Sequence, residues 1–552
     1  MSPTYDLILK GGCVATPGGI AVMDVAVSGG RIAGIGSFDA TQAGEVFEAQ
    51  GLHVLPGVID SQVHFREPGL EWKEDLESGS RSAALGGVTA VFEMPNTDPS
   101  TTSPEMMEDK LARAKGRMHT DHAFYAGATH DNTDLLPIME RMAGVCGVKV
   151  FMGASTGQLL VEDDEGVERV LNAISRRAAF HSEDEYRLAD RRKLAVQGDW
   201  TSHPVVRDAE AAISSTRRLI RLARKTGKRI HVLHVTTGEE MEMLAANKDI
   251  ATCEVTPQHL TLVGPEDYVR LKGYAQMNPP IRDAHHRDAL WKAVNEGVPD
   301  VLGSDHAPHT IEEKSRPYPA SPSGMPGVQT LVPVMLTHVA DGKLSLERFI
   351  ELTSAGPQRV FGIAGKGRIA LGYDADFTVV DLKARKTITH EWSASRCGWT
   401  PFDGMQAKAW PVATFVRGRG TRAPLATVSI QKDFFVTAEP GALQQMLVNL
   451  LNNSLKAVVL RHGTTVPGQI SVSVDYGGSG QLTVSDSGCG MTKAELSRIF
   501  EPFYTGDPKH GHGLGLTFAH SVVVGYGGTI NVSSTQGQGT TISITFPKAT
   551  PV

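Results

Sequence analysis

The sequence predicts a parallel α/β barrel with a small β domain beside it, followed by a separate α/β sandwich. Three observations support this prediction. The chain has 552 residues, more than one compact core holds at roughly 100–200 residues per domain. Buried-type strands alternate with helix-length segments over residues 56–364, which is typical of a (β/α)8 barrel. The composition then changes after about Thr421, which indicates a domain boundary.

The overall composition is that of a folded, mildly acidic chain. Apolar residues make up 41% and charged residues 21%, so sizeable cores can form. The net charge of -7 argues against a basic nucleic-acid binder or membrane-surface binder. The 5 Cys are scattered without a CxxC pair, and neither a signal peptide nor a membrane-spanning run is visible. We therefore expect a cytoplasmic protein that binds neither nucleic acid nor membrane.

Short strands punctuated by Gly occupy residues 1–55 and return over residues 365–421. Examples are DLILKGGCVAT and DVAVSGGRIAGIG in the first segment and AWPVATFVRGRGT in the second. Such alternation is typical of strands joined by tight turns. We therefore expect one flanking β domain, with an antiparallel sheet, built from both ends of the region that encloses the barrel.

The barrel segment, residues 56–364, combines predicted strands such as GVTAVFEMP, GVKVFMG and RIHVLHVT with predicted helices such as PEMMEDKLARAKGR and DAEAAISSTRRLIRLARKTG. Polar residues stand where several strands end, and such barrels keep their chemistry at that face. A single His at a strand end is usually structural, but His and carboxylate residues at several strand ends suit a hydrolytic zinc site. These residues are Asp60, His64, Arg66, Lys149, His181, His234 and Asp305.

Seven motifs in the first part are specific: FREPG, EMPNTDP, KVFMGASTG, EVTPQHLTL, QMNPPIR, GSDHAPHT and SGMPGVQTL. With them, residues 3–420 resemble the dihydroorotases of the amidohydrolase superfamily. The resemblance implies a cyclic amidase of pyrimidine biosynthesis that interconverts N-carbamoyl-L-aspartate and dihydroorotate. It also implies a cofactor of one or two Zn2+ ions, and we expect a homo-oligomer.

The resemblance implies a role for each candidate metal ligand. Lys149 would be carboxylated and bridge two metals, and His181 and His234 would hold the second metal. The first metal would lie at His64, the Lys149 carbamate and Asp305. Asp305 would also carry the proton between the attacking hydroxide and the leaving amide nitrogen, as a general acid and base.

The resemblance further implies a substrate clamp. Arg66, Asn96 and His309 would bind the substrate carboxylate, for which the planar guanidinium of an Arg is well shaped. Asn278 would face the amide of the ring. Dihydropyrimidinases and allantoinases share the metal scaffold but lack the REPG and MPN pair, so they are the alternative within the same class.

One position departs from the family pattern. Dihydroorotases usually present His-x-His on the first strand, and here Gln62 stands at the first of these positions, two residues before His64. An amide oxygen is a weaker ligand for a transition metal than an imidazole. Two alternatives stay open: an enzyme with a single metal, or an inactive dihydroorotase-like scaffold that acts as a partner of aspartate transcarbamoylase.

The tail, residues 428–548, has a composition of its own. From Val428 onward we count 7 basic and 7 acidic residues, and all 6 Trp precede it. Its strands and helices predict a self-contained α/β sandwich. Four motifs follow one another: LQQMLVNLLNNSLKA, DSGCGM, IFEPFYT and GHGLGLTFAHSVV, closed by GQGTTISITFP. Together they resemble the ATP-binding domain of sensor histidine kinases, the Bergerat fold shared with DNA gyrase.

This second resemblance implies ATP and Mg2+ as ligands. Asn453 would hold Mg2+, Asp486 would accept the adenine amino group, and glycines at a helix start would present N–H groups to the phosphates. Phe500 and Phe503 would pack beneath the lid over the phosphates. The full predicted set is Asn449, Asn453, Lys456, Asp486, Gly488, Gly490, Gly511, Gly513, Gly515 and Thr540.

A sensor kinase places a helical hairpin with a phosphoacceptor His before this domain, and residues 421–428 are too short for one. We therefore expect ATP binding without autophosphorylation of the chain. The abrupt junction leaves three alternatives: a regulatory fusion, a signalling module in a chimeric chain, or a scaffold with neither chemistry.

Overall fold

The computed structural model describes residues 4–154, 159–421, 425–430, 440–462, 469–476, 480–501, 504 and 515–547. The chain divides into two compact units, Met1–Thr421 and Arg422–Val552. Among the residues described, no helix has the length and apolar character needed to span a bilayer.

The first unit begins with five strands. They are β1 Tyr5–Thr16, β2 Gly19–Ser28, β3 Arg31–Gly36, β4 Ala43–Glu48 and β5 His53–Pro56. β1 pairs antiparallel with β2, and β2 pairs antiparallel with β3. The sheet is nevertheless mixed rather than purely antiparallel, because β4 and β5 return along the other edge of β1 and pair parallel to it.

Eight parallel strands follow and form the barrel. They are β6 Val58–Val63, β7 Val88–Glu93, β8 Asp121–Gly127, β9 Val145–Phe151, β10 Ala178–His181, β11 Ile230–Val232, β12 Ala251–Val255 and β13 Val301–Leu302. Each strand pairs with the next in chain order. The backbone N–H of His64, just after β6, donates to the carbonyl of His306, just after β13, at 2.7 Å. This contact brings the first and last strands together, and the predicted barrel is confirmed.

Helices connect the barrel strands and follow the last of them. They are α1 Leu76–Leu85, α2 Pro104–Ala114, α3 Leu136–Met139, α4 Asp164–Ala173, α5 Glu185–Arg191, α6 His203–Val206, α7 Ala209–Thr226, α8 Gly238–Ala245, α9 Pro257–Thr261, α10 Glu266–Leu271, α11 Ala284–Asn295, α12 Ile311–Lys314, α13 Leu331–Ala340, α14 Leu346–Ile350 and α15 Gly356–Phe361. α7 shows why they form: the Asp208 side chain accepts from Ala211 N at its start, and Gly227 ends it with a φ of 67°. Its apolar face buries Leu219 and Leu222.

The first unit ends with five more strands, β14 Phe377–Asp381, β15 Lys386–Thr387, β16 Gln406–Ala407, β17 Trp410–Val416 and β18 Arg419–Thr421. β14 pairs antiparallel with β5 and with β17, so strands from both ends of the unit share one sheet. Leu9, Val25, Phe377 and Phe415 bury their side chains in one cluster on this sheet.

The second unit is an α/β sandwich, as predicted. Its elements are β19 Leu425–Ile430, α16 Pro440–His462, β20 Gln469–Tyr476, β21 Gly480–Asp486, α17 Lys493–Leu496, α18 Gly515–Gly525, β22 Thr529–Thr535 and β23 Gly539–Phe546. The sheet order is β19-β20-β21-β23-β22. Leu450 of α16 and Val523 of α18 pack with Val484 and Ile544 of the sheet.

Leu450→Ala tests this second core. Leu450 is fully buried, so we expect the free energy of unfolding of the unit to fall by about 2–5 kcal/mol. Hydrogen exchange of residues 440–462 in the full chain measures it. Leu455→Ala is the matched control, because Leu455 is 40% exposed; equal acceleration of exchange in both variants would contradict the packing described here.

Candidate functional site

A cavity lies at the carboxyl ends of the barrel strands. Six of the predicted residues line it: His64, Lys149, His181, His234, Asn278 and Asp305. Parallel strands place their carboxyl ends on one face of the barrel, and residues far apart in sequence meet there for that reason. The remaining lining residues are Gln62, Phe151, Ala307, Ser323 and Gly324.

The two histidines on β10 and after β11 form a converging pair. His181 Nδ1 lies 3.1 Å from His234 Nε2. Nitrogen ligands about 2.0–2.1 Å from a tetrahedral zinc ion stand roughly 3.3 Å apart, so this pair has suitable spacing for one metal. Burial lowers the pKa of both rings below 6.5, which keeps them neutral and able to bind a metal.

Glu183 supports this pair from behind, and the sequence analysis did not single it out. Its Oε2 lies 2.8 Å from His181 Nε2, and it forms a buried ion pair with Arg207. With Nε2 donating to the carboxylate, His181 Nδ1 presents its lone pair to His234, the arrangement usual behind metal-binding histidines. The carboxylate two residues after His181 was the signal available in the sequence.

Lys149 is fully buried at the end of β9. Its Nζ has no hydrogen-bond partner among the residues that the structure describes, and it lies 4.5 Å from the centroid of the Phe151 ring. Burial lowers the pKa of the amine to about 7. A substantial fraction is therefore unprotonated near neutral pH, and an unprotonated amine is the form that reacts with CO2 to give a carbamate.

A second pair of candidate ligands lies on the opposite side, between β6 and β13. His64 Nε2 is 3.3 Å from Asp305 Oδ1, and His64 Nδ1 is 2.7 Å from Asn96 Oδ1. With Asn96 Oδ1 as acceptor, Nδ1 carries the hydrogen and Nε2 points its lone pair toward the carboxylate. Burial lowers the pKa of His64 to about 4, so the ring is neutral near pH 7. A cation between His64 Nε2 and Asp305 Oδ1 would relieve the repulsion between their two lone pairs.

Gln62 is part of this second side. It is 1% exposed, and its Nε2 donates to Asp305 Oδ1 at 3.0 Å. Its Oε1 is buried without a partner among the described residues. The structure therefore brings the predicted ligands to one cavity as two pairs, His181 with His234 and His64 with Asp305. Lys149 lines the same cavity.

The predicted carboxylate clamp lies behind the cavity wall. Arg66 is 2% exposed; its Nε donates to the Pro308 carbonyl at 3.2 Å, and one terminal nitrogen is 3.3 Å from His309 Nε2. His309 Nε2 is also 3.0 Å from the carbonyl of Ser323, which lines the cavity. Within the described ranges, no carboxylate lies within ion-pair distance of Arg66. Burial lowers its pKa only to about 10, so the guanidinium keeps its charge.

Two further observations concern this face of the barrel. Arg66, His234 and Asp305 all have positive φ angles, of 66°, 36° and 45°. Residues other than Gly adopt this region at a cost and are often found at functional sites. Asn278 Oδ1 is buried without a partner in the part of the chain described, so the predicted ring-facing residue offers an acceptor at the cavity.

The second unit brings its predicted residues around the end of β21. Asp486 Oδ1 accepts from Gly488 N at 2.8 Å and from Thr540 N at 3.3 Å. Burial raises the pKa of this carboxyl. A Cβ on Gly490, whose φ is 62°, would lie 2.0 Å from the carbonyl oxygen of Thr535, so only Gly fits there.

α16 carries the predicted Asn pair toward the start of α18. A Cβ on Gly515 would lie 3.6 Å from Asn453 Nδ2 and 3.7 Å from Asn449 Cβ, and Lys456 follows on the same helix. Phe500 packs against His520 with ring centroids 4.7 Å apart. The predicted residues Phe503, Gly511 and Gly513 lie outside the described residues.

Comparison with known proteins agrees with this geometry. Residues 53–420 match the model of the amidohydrolase family. The chain belongs to the amidohydrolase family. A dihydroorotase of Methanosarcina acetivorans is 36% identical over 411 residues, 72% of this chain and 87% of its own length. A dihydroorotase of Halobacterium salinarum is 38% identical over 408 residues, 72% of this chain and 92% of its own.

Other relatives in this family carry different names. An allantoinase of Rubrobacter xylanophilus is 36% identical over 431 residues, 75% of this chain and 94% of its own length. The solved structure of an L-hydantoinase from Arthrobacter aurescens aligns with a TM-score of 0.72 and 30% identity, covering 76% of this chain and 96% of its own.

The tail has its own family match. Residues 438–550 match the histidine kinase-, DNA gyrase B- and HSP90-like ATPase family. Both resemblances inferred from the sequence are confirmed. The chain is thus an amidohydrolase-family protein that carries a C-terminal ATPase domain of this type.

Glu183→Gln tests the support behind His181. The pKa of Glu183 is held below its ordinary 4.5 by Arg207 and His181 despite burial, so its stabilising effect is present above that value and is lost as the pH falls. In metal-stripped protein at pH 7, we expect the variant to lose about 3–5 kcal/mol of unfolding free energy. Urea unfolding at several pH values measures it.

The control for this prediction is Glu165→Gln, because the side chain of Glu165 is 84% exposed. We expect the gap between wild type and Glu183→Gln to narrow as the pH falls below 4.5. A gap that stays constant with pH would contradict an ionised Glu183 in the folded protein.

Proposed function

We propose that the first unit is a metal-dependent cyclic amidase that interconverts N-carbamoyl-L-aspartate and dihydroorotate. The observation that carries this proposal is Arg66, a buried guanidinium beside the cavity with no carboxylate at ion-pair distance among the described residues. A buried charge is costly unless it is paired. A substrate that brings its own carboxylate would supply the partner, and both of these substrates carry one.

The residues of the cavity suit a divalent metal such as Zn2+. Neutral imidazoles and carboxylates are its usual ligands, and the proposed set is His64, Lys149 (as a carbamate), His181, His234 and Asp305. A metal bound there supplies Lewis-acid activation of water and of the amide carbonyl. Lys149, His181 and His234 would hold the metal. Glu183 would keep His181 oriented through its contact with Nε2.

Asp305 is the proposed proton carrier. In hydrolysis its carboxylate would take a proton from the attacking water and deliver it to the ring nitrogen as the amide bond breaks, and cyclisation would reverse these transfers. Gln62 Nε2 donates to Oδ1 and holds the carboxylate at the cavity, with His64 Nε2 beside it. Asn278, at the same wall, would bind the ring amide.

The clamp distinguishes this substrate from neutral rings. Arg66, His309 and Asn96 would bind the carboxylate on the side of the cavity where Ser323 lies. Hydantoins and other rings without a carboxylate would leave Arg66 unpaired, which favours dihydroorotate over the substrates that the names of the allantoinase and hydantoinase relatives imply.

The domain limits inferred from the sequence are part of the proposal: residues 1–55 and 365–421 for the flanking β domain, 56–364 for the barrel and 428–548 for the nucleotide domain. Cytoplasmic location, self-association and association with aspartate transcarbamoylase stay predictions from the sequence.

Arg66→Gln tests the proposed substrate. Loss of hydrogen bonds to a charged group costs about 1.5–3 kcal/mol, so we expect kcat/KM for dihydroorotate to fall about 10- to 150-fold. Turnover of an uncharged dihydropyrimidine or hydantoin, however slow, should stay the same. Arg169→Gln is the control, because the Arg169 side chain is 49% exposed. A wild-type preference for the neutral ring would contradict the proposal.

We further propose that the second unit binds ATP with Mg2+. Asp486 would accept from the adenine amino group, Gly488, Gly490 and Thr540 would line the base pocket, and Asn449, Asn453 and Lys456 would lie toward the phosphates and Mg2+. The backbone N–H group of Gly515, at the start of α18, would face the phosphates; Gly511 and Gly513, for which the resemblance implies the same role, lie outside the described residues. The support is the close approach of Gly488 and Thr540 to Asp486, which leaves room only for small residues around the carboxylate.

Asp486→Asn tests the nucleotide pocket in the full chain. An amide can present a donor to the adenine amino group in place of an acceptor, so we expect the affinity for Mg-ATP, measured by calorimetry, to fall about 10- to 150-fold. Asp190→Asn, at an exposed position, is the control. Unchanged affinity in Asp486→Asn would contradict the assigned role.

A further inference from the structure

The two sides of the cavity are not equivalent, and Gln62 is the cause of the difference. On one side, His181 and His234 point two ring nitrogens at each other across 3.1 Å. On the other side, the Gln62 amide points a nitrogen at Asp305 Oδ1 across 3.0 Å. An imidazole nitrogen there would offer a lone pair, whereas the amide nitrogen offers only hydrogens.

The direction of the Gln62 amide is fixed by its neighbour. Asp305 Oδ1 can only accept, so the group that faces it is the NH2 of Gln62 and the carbonyl oxygen faces away. That Oε1 is buried and has no partner among the described residues. Reversing the amide would set its carbonyl against the carboxylate, and two acceptors repel unless a cation lies between them.

We propose that this chain binds one divalent metal tightly, on the His181–His234 side, and that Gln62 makes the His64–Asp305 side a poor position for a second transition metal. The inference rests on the proposed function of the cavity. A cation beside Asp305 Oδ1 would meet the positive end of the Gln62 N–H bonds. To bind there it must break that charge-assisted hydrogen bond, and it gains at best an amide oxygen, a weak ligand for Zn2+.

The same contact gives Gln62 a positive role. Held by Gln62 Nε2 and next to His64 Nε2, the Asp305 carboxylate stays at the cavity wall without a second metal to orient it. Gln62 is therefore a positioning residue for Asp305. Loss of a hydrogen bond to a charged group changes an equilibrium about 10- to 150-fold, and we expect the second metal to bind more weakly than the first by at least this factor.

Metal counting tests the proposal without an activity assay. The full chain is stripped with a chelator and equilibrated with a Zn2+ buffer at low free metal, so that exposed surface groups do not bind. Zinc per chain is then measured by mass spectrometry. We expect one equivalent for the wild type and two for Gln62→His. Gln406→His is the matched control, because it makes the same change at an exposed position, and it should keep one equivalent.

Two more variants locate the metal. His64→Ala should keep the single tight equivalent, whereas His234→Ala should lose it; the reverse result would overturn the assignment. Two tight equivalents in the wild type, or one in a folded Gln62→His, would overturn the role of Gln62 and leave the proposed amidase intact. No tight zinc in any of these proteins would instead overturn the metal-dependent function itself. The wild-type count decides the proposal even if Gln62→His does not fold.

Discussion

The closure of the barrel is the constraint on which the site depends. The hydrogen bond from His64 N to the His306 carbonyl joins the end of β6, the first barrel strand, to the end of β13, the last barrel strand. It sets Gln62 and His64 beside Asp305, although about 240 residues separate them in sequence. The position of Asp305 beside Gln62 and His64 therefore follows from the topology of the sheet.

The closed barrel also buries charged groups at its carboxyl end, and this burial changes their pKa values. Lys149 has its pKa lowered to about 7 and His64 to about 4, in both cases chiefly by burial. Arg66 stays cationic in the same surroundings without a carboxylate at ion-pair distance in the described chain. Under the proposed function, an anion and a cation bound between these groups would offset the cost of burying them.

Much of this arrangement could be predicted from the sequence, because the carboxyl ends of parallel strands share one face and residues ending such strands must meet. His181, His234, Lys149 and Asp305 were identified in this way, and the sequence motifs identified both families. The mixed pairing of β1 was not, since a Gly-rich alternating pattern gives no information on strand direction. The direction of the Gln62 amide and the support from Glu183 also could not be predicted, because both depend on contacts between side chains.

Fold alone does not choose the substrate of such a barrel. Proteins named dihydroorotase, allantoinase and L-hydantoinase each match more than 70% of this chain, so the scaffold is common to different ring substrates and the choice must come from local side chains. Under the proposed function, the metal ligands would act on the ring amide that these substrates share, so they would not discriminate between the rings. Under the proposed function, Arg66 and His309 would contact the substrate carboxylate, an interaction that a neutral ring would not gain. Under the proposed function, specificity would therefore reside in the residues behind the cavity wall, while the metal side would determine only which bond is cleaved.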